Sequence, residues 1–306
     1  MKTAIAVITY RRLQALKTVM DGLRQHCGQY PLAIFEDLGQ RDATEDYLNP
    51  SGERVWRKEL EAEQCLLPES LQGDGSWKAF LGTRNLGVSG NSNRAIKWFM
   101  EETDCDHLCL LNDDLHVLGD FANFYGRGHV DLGVGHFTFC DFTGNDYKWV
   151  TVRLRGYGVK LLPRLTGIMM SFTRKCLEKI GYYDMRFGKW GQEHCCVTYR
   201  ARFAGQVQLE GQDQNGLDLE HALLRHQEVA TSMPGVEGER AQKEAWEVMQ
   251  TVSAGYRSGS SPIYIPFRLS CPKTAGGFRA NGMRTDLLLD MGYQLVNDHV
   301  DSVPPE

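Results

Sequence analysis

The chain has 306 residues, of which 42% are hydrophobic and 24% charged, enough for one large domain or two modest ones with a full core. Its formal net charge of -5 excludes a general attraction to polyanions. No stretch approaches the roughly 20 apolar residues of a membrane span, and the apolar run near the start is too short for a signal peptide. The nine cysteines lack paired metal-site spacing, which favours reduced thiols in a cytoplasmic protein.

A strand, a helix and a second strand are predicted at the start of the chain. Residues 3–8 form an apolar run typical of a buried strand, and residues 32–35 form another. Between them, apolar residues at helical spacing predict an amphipathic helix over residues 13–25. This order predicts a parallel sheet with a right-handed crossover connection.

Polar residues follow both strands. The first strand leads into a turn that contains Thr9, Tyr10 and Arg12, and the second ends at Asp37. An acid at the end of the second strand commonly binds the ribose or base of a nucleotide. A charge at the start of a solvated loop is an equally good interpretation of Asp37.

A glycine-rich stretch at residues 81–94 follows a segment, residues 44–64, that is predicted to be helical. Its three glycines allow the backbone to approach a ligand closely. The next helix, predicted over residues 91–101, points its N-terminus at the same place, which suits a phosphate or a base. The spacing fits neither the dinucleotide fingerprint nor a Walker loop.

Two adjacent acids end the next apolar run. Residues 108–111 predict a short buried strand, which leads into Asn112, Asp113 and Asp114. Acids at such a position lie at the rim of an open α/β sheet, where ligands bind. Their carboxylates repel each other unless a cation lies between them, and oxygen ligands of this kind suit Mg²⁺ or Mn²⁺ shared with substrate phosphates. A solvated turn that caps a helix is the alternative.

Further elements are predicted in the second half of the chain. They are a strand over residues 166–172, a short helix over 173–180, a helix over 195–204, a polar helix over 237–252 and a mobile loop over 257–262. Gly181 is expected to end the short helix, because glycine readily adopts the left-handed conformation found there.

The first part of this pattern resembles the nucleotide-binding half of the GT-A glycosyltransferases, especially family 2. The resemblance rests on Thr-Tyr after the first strand, an acid after the second, Arg-Asn-Leu-Gly at residues 84–87 and Leu-Leu-Asn-Asp-Asp at residues 110–114. It implies that Asn112 and Asp114 are the first and last positions of the metal-binding DxD element. It also implies that a nucleotide contacts the residues Thr9, Tyr10, Arg12, Asp37, Arg84, Asn85, Gly87, Asn93 and Asp113.

Residues 183–194 resemble the acceptor-side motif of the same superfamily. Trp190, Gly191 and Glu193 match the Trp-Gly-x-Glu form found in β-1,4-galactosyltransferases and polypeptide N-acetylgalactosaminyltransferases, and the resemblance places Trp190 and Gly191 at the donor. His194 stands where inverting members carry the Asp that is the usual general base. Glu193 and His194 are therefore both candidates for the base, and inversion and retention both stay open.

Related enzymes often take a last metal ligand, frequently His, from a strand beyond the acceptor helix. Residues 219–226 offer His221 and His226, of which His226 is favoured because it precedes a polar loop. Asp114-Leu115-His116 also has the Asp-x-His spelling used by some retaining members, although strand position aligns the motif to Asn112 and Asp114. A surface or core histidine is the alternative interpretation for each.

The resemblance implies an α/β fold of the GT-A type, Rossmann-like, with a mostly parallel central sheet flanked by helices. Residues 1–235 would form the domain, with a nucleotide-sugar-binding half at 1–117 and an acceptor half at 118–235. Residues 236–306 would form a helical and loop extension that serves as a lid. The expected activity is that of a hexosyltransferase, which moves a sugar from a nucleotide-sugar, by family precedent a UDP-sugar, to an acceptor hydroxyl with Mn²⁺ or Mg²⁺.

Two basic segments bear on the acceptor. Residues 147–177 contain seven basic residues and residues 248–285 contain five, and neither segment contains an acid. Phosphate contacts from these residues would suit DNA, so a modified DNA base, as in phage enzymes, stands beside a saccharide as the predicted acceptor. Solvated loops explain the charges equally well.

A different class of function is a decayed GT-A scaffold that binds a nucleotide-sugar or nucleic acid without catalysis. The expected setting is the cytoplasm of a bacterium or of a virus-infected host.

Overall fold

The computed structural model describes residues 1–10, 12–37, 77–81, 86–141, 149–163, 167–187, 191–209, 214–227, 235–267, 293–296 and 299–302. Its strands are β1 (Thr3–Tyr10), β2 (Leu32–Asp37), β3 (Trp77–Leu81), β4 (His107–Asn112), β5 (Leu115–Val117), β6 (His136–Phe139), β7 (Val150–Leu154), β8 (Tyr157–Leu162), β9 (Met169–Thr173), β10 (Gly216–Leu219), β11 (Leu224–His226), β12 (Tyr293–Val296) and β13 (His299–Ser302). Its helices are α1 (Leu13–Cys27), α2 (Gly87–Glu102), α3 (Phe121–Leu132), α4 (Arg174–Ile180), α5 (Glu193–Phe203) and α6 (Gly235–Ser258), with a 3₁₀ turn at Met185–Phe187.

Six strands form the central sheet in the order β3-β2-β1-β4-β9-β6. The first four are parallel, and β9 runs antiparallel between β4 and β6. Residues 4–8 of β1 are all buried and apolar, as expected for a strand covered on both faces. The predicted strand-helix-strand opening and the mostly parallel sheet are thereby confirmed.

The helix predicted to begin at residue 91 begins at Gly87 instead. Gly87 has a φ of 73°, in the left-handed region that favours glycine, and this turns the chain into the helix. Asn91 lies inside α2 rather than at its start, and its side-chain amide donates to the carbonyl oxygens of Phe35 at 2.7 Å and Thr9 at 3.4 Å. These bonds hold α2 against the ends of β1 and β2. The helix predicted over residues 44–64 lies outside the described residues.

Two smaller antiparallel sheets stand beside the central one. Strands β10, β8 and β7 form the first, and β11 pairs with β5 to form the second. Because β5 comes directly after the acidic turn, the β5–β11 pairing brings a distant part of the chain to that turn. The register places His226 opposite Leu115. A separate hairpin joins β12 to β13.

The polar helix predicted over residues 237–252 is confirmed and longer, since α6 spans Gly235–Ser258. Its apolar side packs with residues of the 3₁₀ turn and of α5 in a second core, formed by Phe187, Cys196, Ala245, Val248, Met249, Val252 and Tyr256. The loop predicted at residues 257–262 begins inside this helix. Both Ser260 and Ser261 then donate their backbone N–H groups to the carbonyl of Gly255, which ends the helix with a turn. Across the described ranges, no helix combines the length and the apolar character needed to cross a bilayer.

Candidate functional site

The carboxyl ends of β1 and β4 form the centre of the site. The two strands are parallel neighbours, and their register places Ile8 opposite Asn112. The residues that follow therefore meet, and the Oγ1 hydroxyl of Thr9 donates to Oδ2 of Asp113 at 2.6 Å. Asp113 is fully buried. The polar residue after one apolar run thus supports the acid after another.

Arg12 contacts both acids of the turn. Its Nη2 forms an ion pair with Oδ1 of Asp113, and its Nη1 lies 3.3 Å from Oδ2 of Asp114. Burial raises the pKa of Asp113 to about 6, while the charge of Arg12 and the hydroxyl of Thr9 oppose that rise. The carboxylate of Asp113 is therefore bonded within the protein interior. Asp114 is the acid with the more accessible carboxylate.

Asp114 lies beside the imidazole of a residue that is distant in the sequence. Nε2 of His226 is 4.0 Å from Oδ2 of Asp114, while the side-chain Oδ1 of Asp114 is buried and accepts no hydrogen bond. Gln227 fixes the backbone of the acidic turn. Its backbone N–H donates to the carbonyl of Asp114 at 2.8 Å, and its side-chain amide donates to the carbonyl of Leu115 at 3.0 Å. The predicted preference for His226 thus has a geometric basis.

The side chains of Asp114 and His226 have the chemistry of ligands for a divalent cation. Carboxylate oxygens suit Mn²⁺ and Mg²⁺, and imidazole is a common metal ligand in proteins. The buried oxygen of Asp114 without a partner is an atom that a cation would satisfy. Within the described ranges, no group of three or more His, Cys, Asp or Glu side chains is arranged to hold a metal. A cation held by Asp114 and His226 would therefore take its other ligands from water and substrate.

Asp141 was missed by sequence reasoning. Its Oδ2 accepts the backbone N–H of His226 at 3.1 Å, which places a second carboxylate beside the Asp114–His226 pair. Asp141 follows β6, whose carboxyl end lies at the same edge of the central sheet as that of β4. The available signal was an acid immediately after Phe-Thr-Phe-Cys at residues 137–140, a segment typical of a strand. Asn112 ends β4, where its backbone N–H donates to the carbonyl of Ile168 at 2.9 Å.

His221 has an interior role. Its Nε2 lies 3.0 Å from the hydroxyl of Tyr125, and its Nδ1 accepts the backbone N–H of Leu223 at 3.0 Å. Its ring stacks on Phe139 with 5.2 Å between centroids. Burial lowers the pKa of His221 to about 4. The single strand suggested by residues 219–226 is therefore two short strands, with His221 packed between them.

Among the predicted nucleotide contacts, Asn93 has a different role from the one expected. It is completely buried. Its side-chain amide donates to the carbonyl of Tyr183 at 3.0 Å, and its side-chain oxygen accepts the N–H of Tyr183 at 2.6 Å. The helix begins four residues before Asn91, so position 93 falls on an inward face instead of at the N-terminus. Both polar groups of the Asn93 side chain are used by Tyr183. The nucleotide contact of Asn93 therefore stays a prediction that this arrangement does not support.

Other predicted nucleotide contacts lie at the same edge of the sheet as Thr9. Tyr10 and Asp37 are neighbours in the β1–β2 register, and Gly87 begins α2. The predicted contacts Arg84, Asn85 and Trp190 lie outside the described residues.

The described residues of the predicted acceptor-side motif contact α2 and α6. Gly191 has a φ of 108°, and a Cβ at this position would lie 3.1 Å from Cβ of Ala245 on α6. Glu193 begins α5 and is buried, with no hydrogen-bond partner for Oε2. Nδ1 of His194 lies 3.9 Å from Oε1 of Glu193 and 3.4 Å from the hydroxyl of Tyr183. Glu193 and His194 thus stand together, linked through Tyr183 to α2.

Several members of the first basic segment serve the fold. Arg174 donates to the carbonyl oxygens of Phe99, Met100 and Thr103 at the end of α2. Lys160 lies 3.4 Å from the buried carboxylate of Asp218, and burial raises the pKa of Asp218 to about 6. Arg153 pairs with Glu220 at 2.9 Å. These charges are engaged within the chain, which weakens the argument for a nucleic-acid surface.

Solved structures share this architecture. The mannosyltransferase PcManGT from Pyrobaculum calidifontis, in complex with GDP-Man and Mn²⁺, matches with a TM-score of 0.51 and 15% identity over 85% of this chain and 66% of its own. GalNAc-T7 with UDP, GalNAc and Mn²⁺ matches with a TM-score of 0.57 and 12% identity over 85% of this chain and 49% of its own. S. aureus TarS 1-349 in complex with UDP-GlcNAc matches with a TM-score of 0.52 and 10% identity over 83% of this chain and 66% of its own.

These matches show that the chain has the GT-A type of α/β fold that the motifs implied. The chain spans about half to two thirds of the length of these proteins. Comparison of the sequence itself finds no matching family model and no matching curated protein.

Proposed function

We propose that this protein is a metal-dependent glycosyltransferase, which moves a sugar from a nucleotide-sugar to a hydroxyl group of a glycan. The observation that carries the proposal is the meeting of Asp114 and His226 at the carboxyl edge of the central sheet. Open α/β sheets bind ligands at that edge. The proposal is supported by the fold, since PcManGT and GalNAc-T7 were both solved with a nucleotide or nucleotide-sugar and Mn²⁺.

The metal site that we propose uses Asp114 and His226, with Asn112 nearby at the end of β4. The bound cation would neutralise the negative charge that develops on the departing diphosphate. Arg12 shares the Asp114 oxygen that faces His226, so its guanidinium is placed to contact the same diphosphate. Asp113 is buried next to this site, where it accepts a hydrogen bond from Thr9 and forms an ion pair that positions Arg12.

The nucleotide is assigned to the adjoining strand ends. Tyr10 and Asp37 are paired at the carboxyl edge, which suits contacts to the base and ribose, as the GT-A resemblance implies. The N-terminus of α2 at Gly87 offers backbone N–H groups to a phosphate, and Arg84 and Asn85 precede it in the chain. By the same resemblance we infer a UDP-sugar as donor.

The acceptor is assigned to the second half of the domain. We propose that residues 1–117 hold the donor and residues 118–235 hold the acceptor, with Glu193 and His194 facing the acceptor hydroxyl. Residues 236–306 would cover the site, and the packing of α6 against Gly191 supports this arrangement. A glycan is preferred to DNA because Lys160 and Arg174 are engaged by buried groups of the chain. All seven described cysteines are free thiols, which supports a reducing, cytoplasmic setting.

A panel of UDP- and GDP-sugars tests the proposal, first by thermal shift with and without Mn²⁺ and then by hydrolysis of the donor. We expect one donor to raise the melting temperature only when the metal is present, and to be hydrolysed slowly. Asp114→Ala should abolish both effects. Its matched control is His116→Ala, which removes a histidine on the neighbouring strand β5. Binding without any turnover on a panel of glycan acceptors would instead support the decayed scaffold, and loss of all activity in His116→Ala would favour the Asp-x-His alignment.

A further inference from the structure

We propose that the hydroxyl of Tyr183 fixes the tautomer of His194, so that Glu193 is the general base and His194 donates a hydrogen bond to the acceptor. The inference rests on the proposed function and deepens it, because it assigns the roles of two neighbouring residues. It also makes Tyr183 a positioning residue that acts through His194.

The position of Tyr183 is fixed from both sides. Its side chain is completely buried, and its backbone N–H and C=O are both bonded by the side chain of Asn93, at 2.6 and 3.0 Å. Its ring meets that of His194 edge to face, with centroids 5.8 Å apart and an interplanar angle of 79°. The imidazole therefore packs against a ring that cannot easily move.

The hydroxyl of Tyr183 faces one ring nitrogen of His194. It lies 3.4 Å from Nδ1, and burial raises the pKa of Tyr183 well above its ordinary value, so the phenol keeps its proton. A neutral phenol can donate or accept a hydrogen bond, and the proposal is that this one donates to Nδ1. A nitrogen that accepts this bond carries no proton, and the neutral imidazole must then carry its proton on Nε2. In that tautomer Nε2 donates and cannot remove a proton from an acceptor hydroxyl.

Glu193 has the acceptor atom that the base requires. Its Oε2 is buried and has no hydrogen-bond partner, and a buried polar oxygen left in this state destabilises the protein. A hydroxyl of the bound acceptor would supply the missing donor. In the transfer step the acceptor oxygen forms a bond to the anomeric carbon and its proton passes to Oε2 of Glu193. The bond from that carbon to the phosphate oxygen breaks, and its electron pair leaves with the nucleoside diphosphate.

The tautomer is tested by NMR of the histidine ring nitrogens in the full chain, labelled with ¹⁵N. The signals of His194 are identified by their loss in His194→Gln. We expect its Nδ1 to have the shift of an unprotonated acceptor nitrogen and Nε2 that of a protonated one. Tyr183→Phe should move both signals towards a mixture of tautomers. Tyr182→Phe, which removes the hydroxyl of the adjacent tyrosine, should leave them in place. A protonated Nδ1 in the wild type would overturn the proposal.

The division of roles is tested by steady-state kinetics with the donor and acceptor found in the panel. Glu193→Gln should lower kcat by about 10²–10⁴-fold, the usual contribution of a general base. His194→Gln should lower it by only about tenfold, because the Gln side chain still offers an N–H donor. Tyr183→Phe should lower kcat with the KM for the donor unchanged, and Tyr182→Phe should change neither constant. Melting temperatures within a few degrees of wild type show that each variant is folded.

The two proposals fail in different ways. An equal loss of kcat in Glu193→Gln and His194→Gln, or a larger loss in the latter, overturns the assignment of the base while the enzyme remains a glycosyltransferase. Absence of turnover by the wild type with every donor and acceptor overturns the proposed function, and the role of Glu193 as base with it. The NMR result still decides in that case whether Tyr183 sets the tautomer of His194.

Discussion

Nε2 of His226 lies 4.0 Å from Oδ2 of Asp114, although Asp114 is in the turn before β5 and His226 ends β11, in the other half of the chain. Their approach depends on the β5–β11 pairing and on Gln227, whose side-chain amide donates to the carbonyls of Asp113 and Leu115. The pair is therefore held by backbone bonds that do not need a metal. If the proposed metal site is correct, its two protein ligands are in place before substrate binds.

The proposed metal site predicts that His226→Ala weakens Mn²⁺ binding by at least about tenfold, because the change removes one of the two proposed protein ligands while the β5–β11 ladder persists. Isothermal titration with Mn²⁺, in the presence of UDP, measures the effect. His116→Ala is the control, since His116 lies on the same short sheet but has no place in the proposed ligand set. Unchanged affinity in His226→Ala would remove this histidine from the metal site.

Arg12 should oppose metal binding in the absence of substrate, because its guanidinium lies 3.3 Å from the Asp114 oxygen that faces His226. We expect Arg12→Gln to raise the affinity for Mn²⁺ alone. The same change should destabilise the fold by about 3–5 kcal/mol, since it leaves the buried carboxylate of Asp113 without its ionic partner. Metal titration and urea unfolding measure the two effects.

The matched control for Arg12 is Arg24→Gln on the outside of α1. Arg24 pairs with Asp21 at 3.0 Å where both side chains are largely exposed, so its loss should cost less than about 1 kcal/mol. Weaker binding of Mn²⁺ alone by Arg12→Gln would show that the guanidinium helps to organise the site and does not compete with the cation.

Local patterns were sufficient to predict the strands whose carboxyl ends form the candidate site. The apolar runs that became β1, β2 and β4 are continuous because both faces of a parallel sheet are buried, and this predicted that polar residues lie at their ends. The turn predicted at Thr9 and Tyr10 is wrong, because β1 continues through both residues to Tyr10. The order of these elements predicted a parallel α/β sheet, and the resemblance implied its GT-A type. The GT-A matches confirm it.

The remaining site residues depend on contacts that no local pattern encodes. Asp141 reaches the site because β6 joins the sheet beyond the antiparallel strand β9, and a single sequence does not show which strands are neighbours. Asn93 looked like a ligand contact because it lies in a glycine-rich stretch, but a helix start four residues earlier turned it inward to Tyr183. An error of one helical turn is enough to exchange a surface role for an interior one.

The interior role of Asn93 predicts a loss of stability in Asn93→Ala. The change leaves the buried N–H and C=O of Tyr183 without their partners, so we expect a loss of about 2–4 kcal/mol in the free energy of unfolding, measured by urea denaturation. Asn123→Ala, on the exposed side of α3, should cost less than about 1 kcal/mol. Unchanged stability combined with weaker UDP binding in Asn93→Ala would restore the nucleotide contact expected from the sequence.

Three buried histidines should make the protein sensitive to acid. They converge on Ser171, whose Oγ lies 2.7 Å from Nε2 of His107 and 2.8 Å from Nε2 of His129, and whose carbonyl lies 3.0 Å from Nδ1 of His136. Burial lowers all three pKa values, to about 4 for His129, to about 3 for His136 and well below the ordinary value for His107. The folded state therefore holds these imidazoles neutral at a pH where the unfolded chain protonates them.

The sign of the effect follows from proton uptake. As the pH falls below the ordinary histidine value of 6.5 towards the folded values, the unfolded state binds more protons, and each histidine lowers the free energy of unfolding by about 1.4 kcal/mol per pH unit. Asp113 and Asp218 act in the opposite sense below about pH 6, because burial raises their pKa values.

A single substitution separates the contribution of one histidine from those of the two acids. His136→Gln should reduce the slope of stability against pH by about 1.4 kcal/mol per unit between about pH 6 and pH 5, in urea unfolding at a series of pH values. His26→Gln on α1 serves as the control and should leave the slope unchanged. An unchanged slope in His136→Gln would show that this imidazole is already charged in the folded protein.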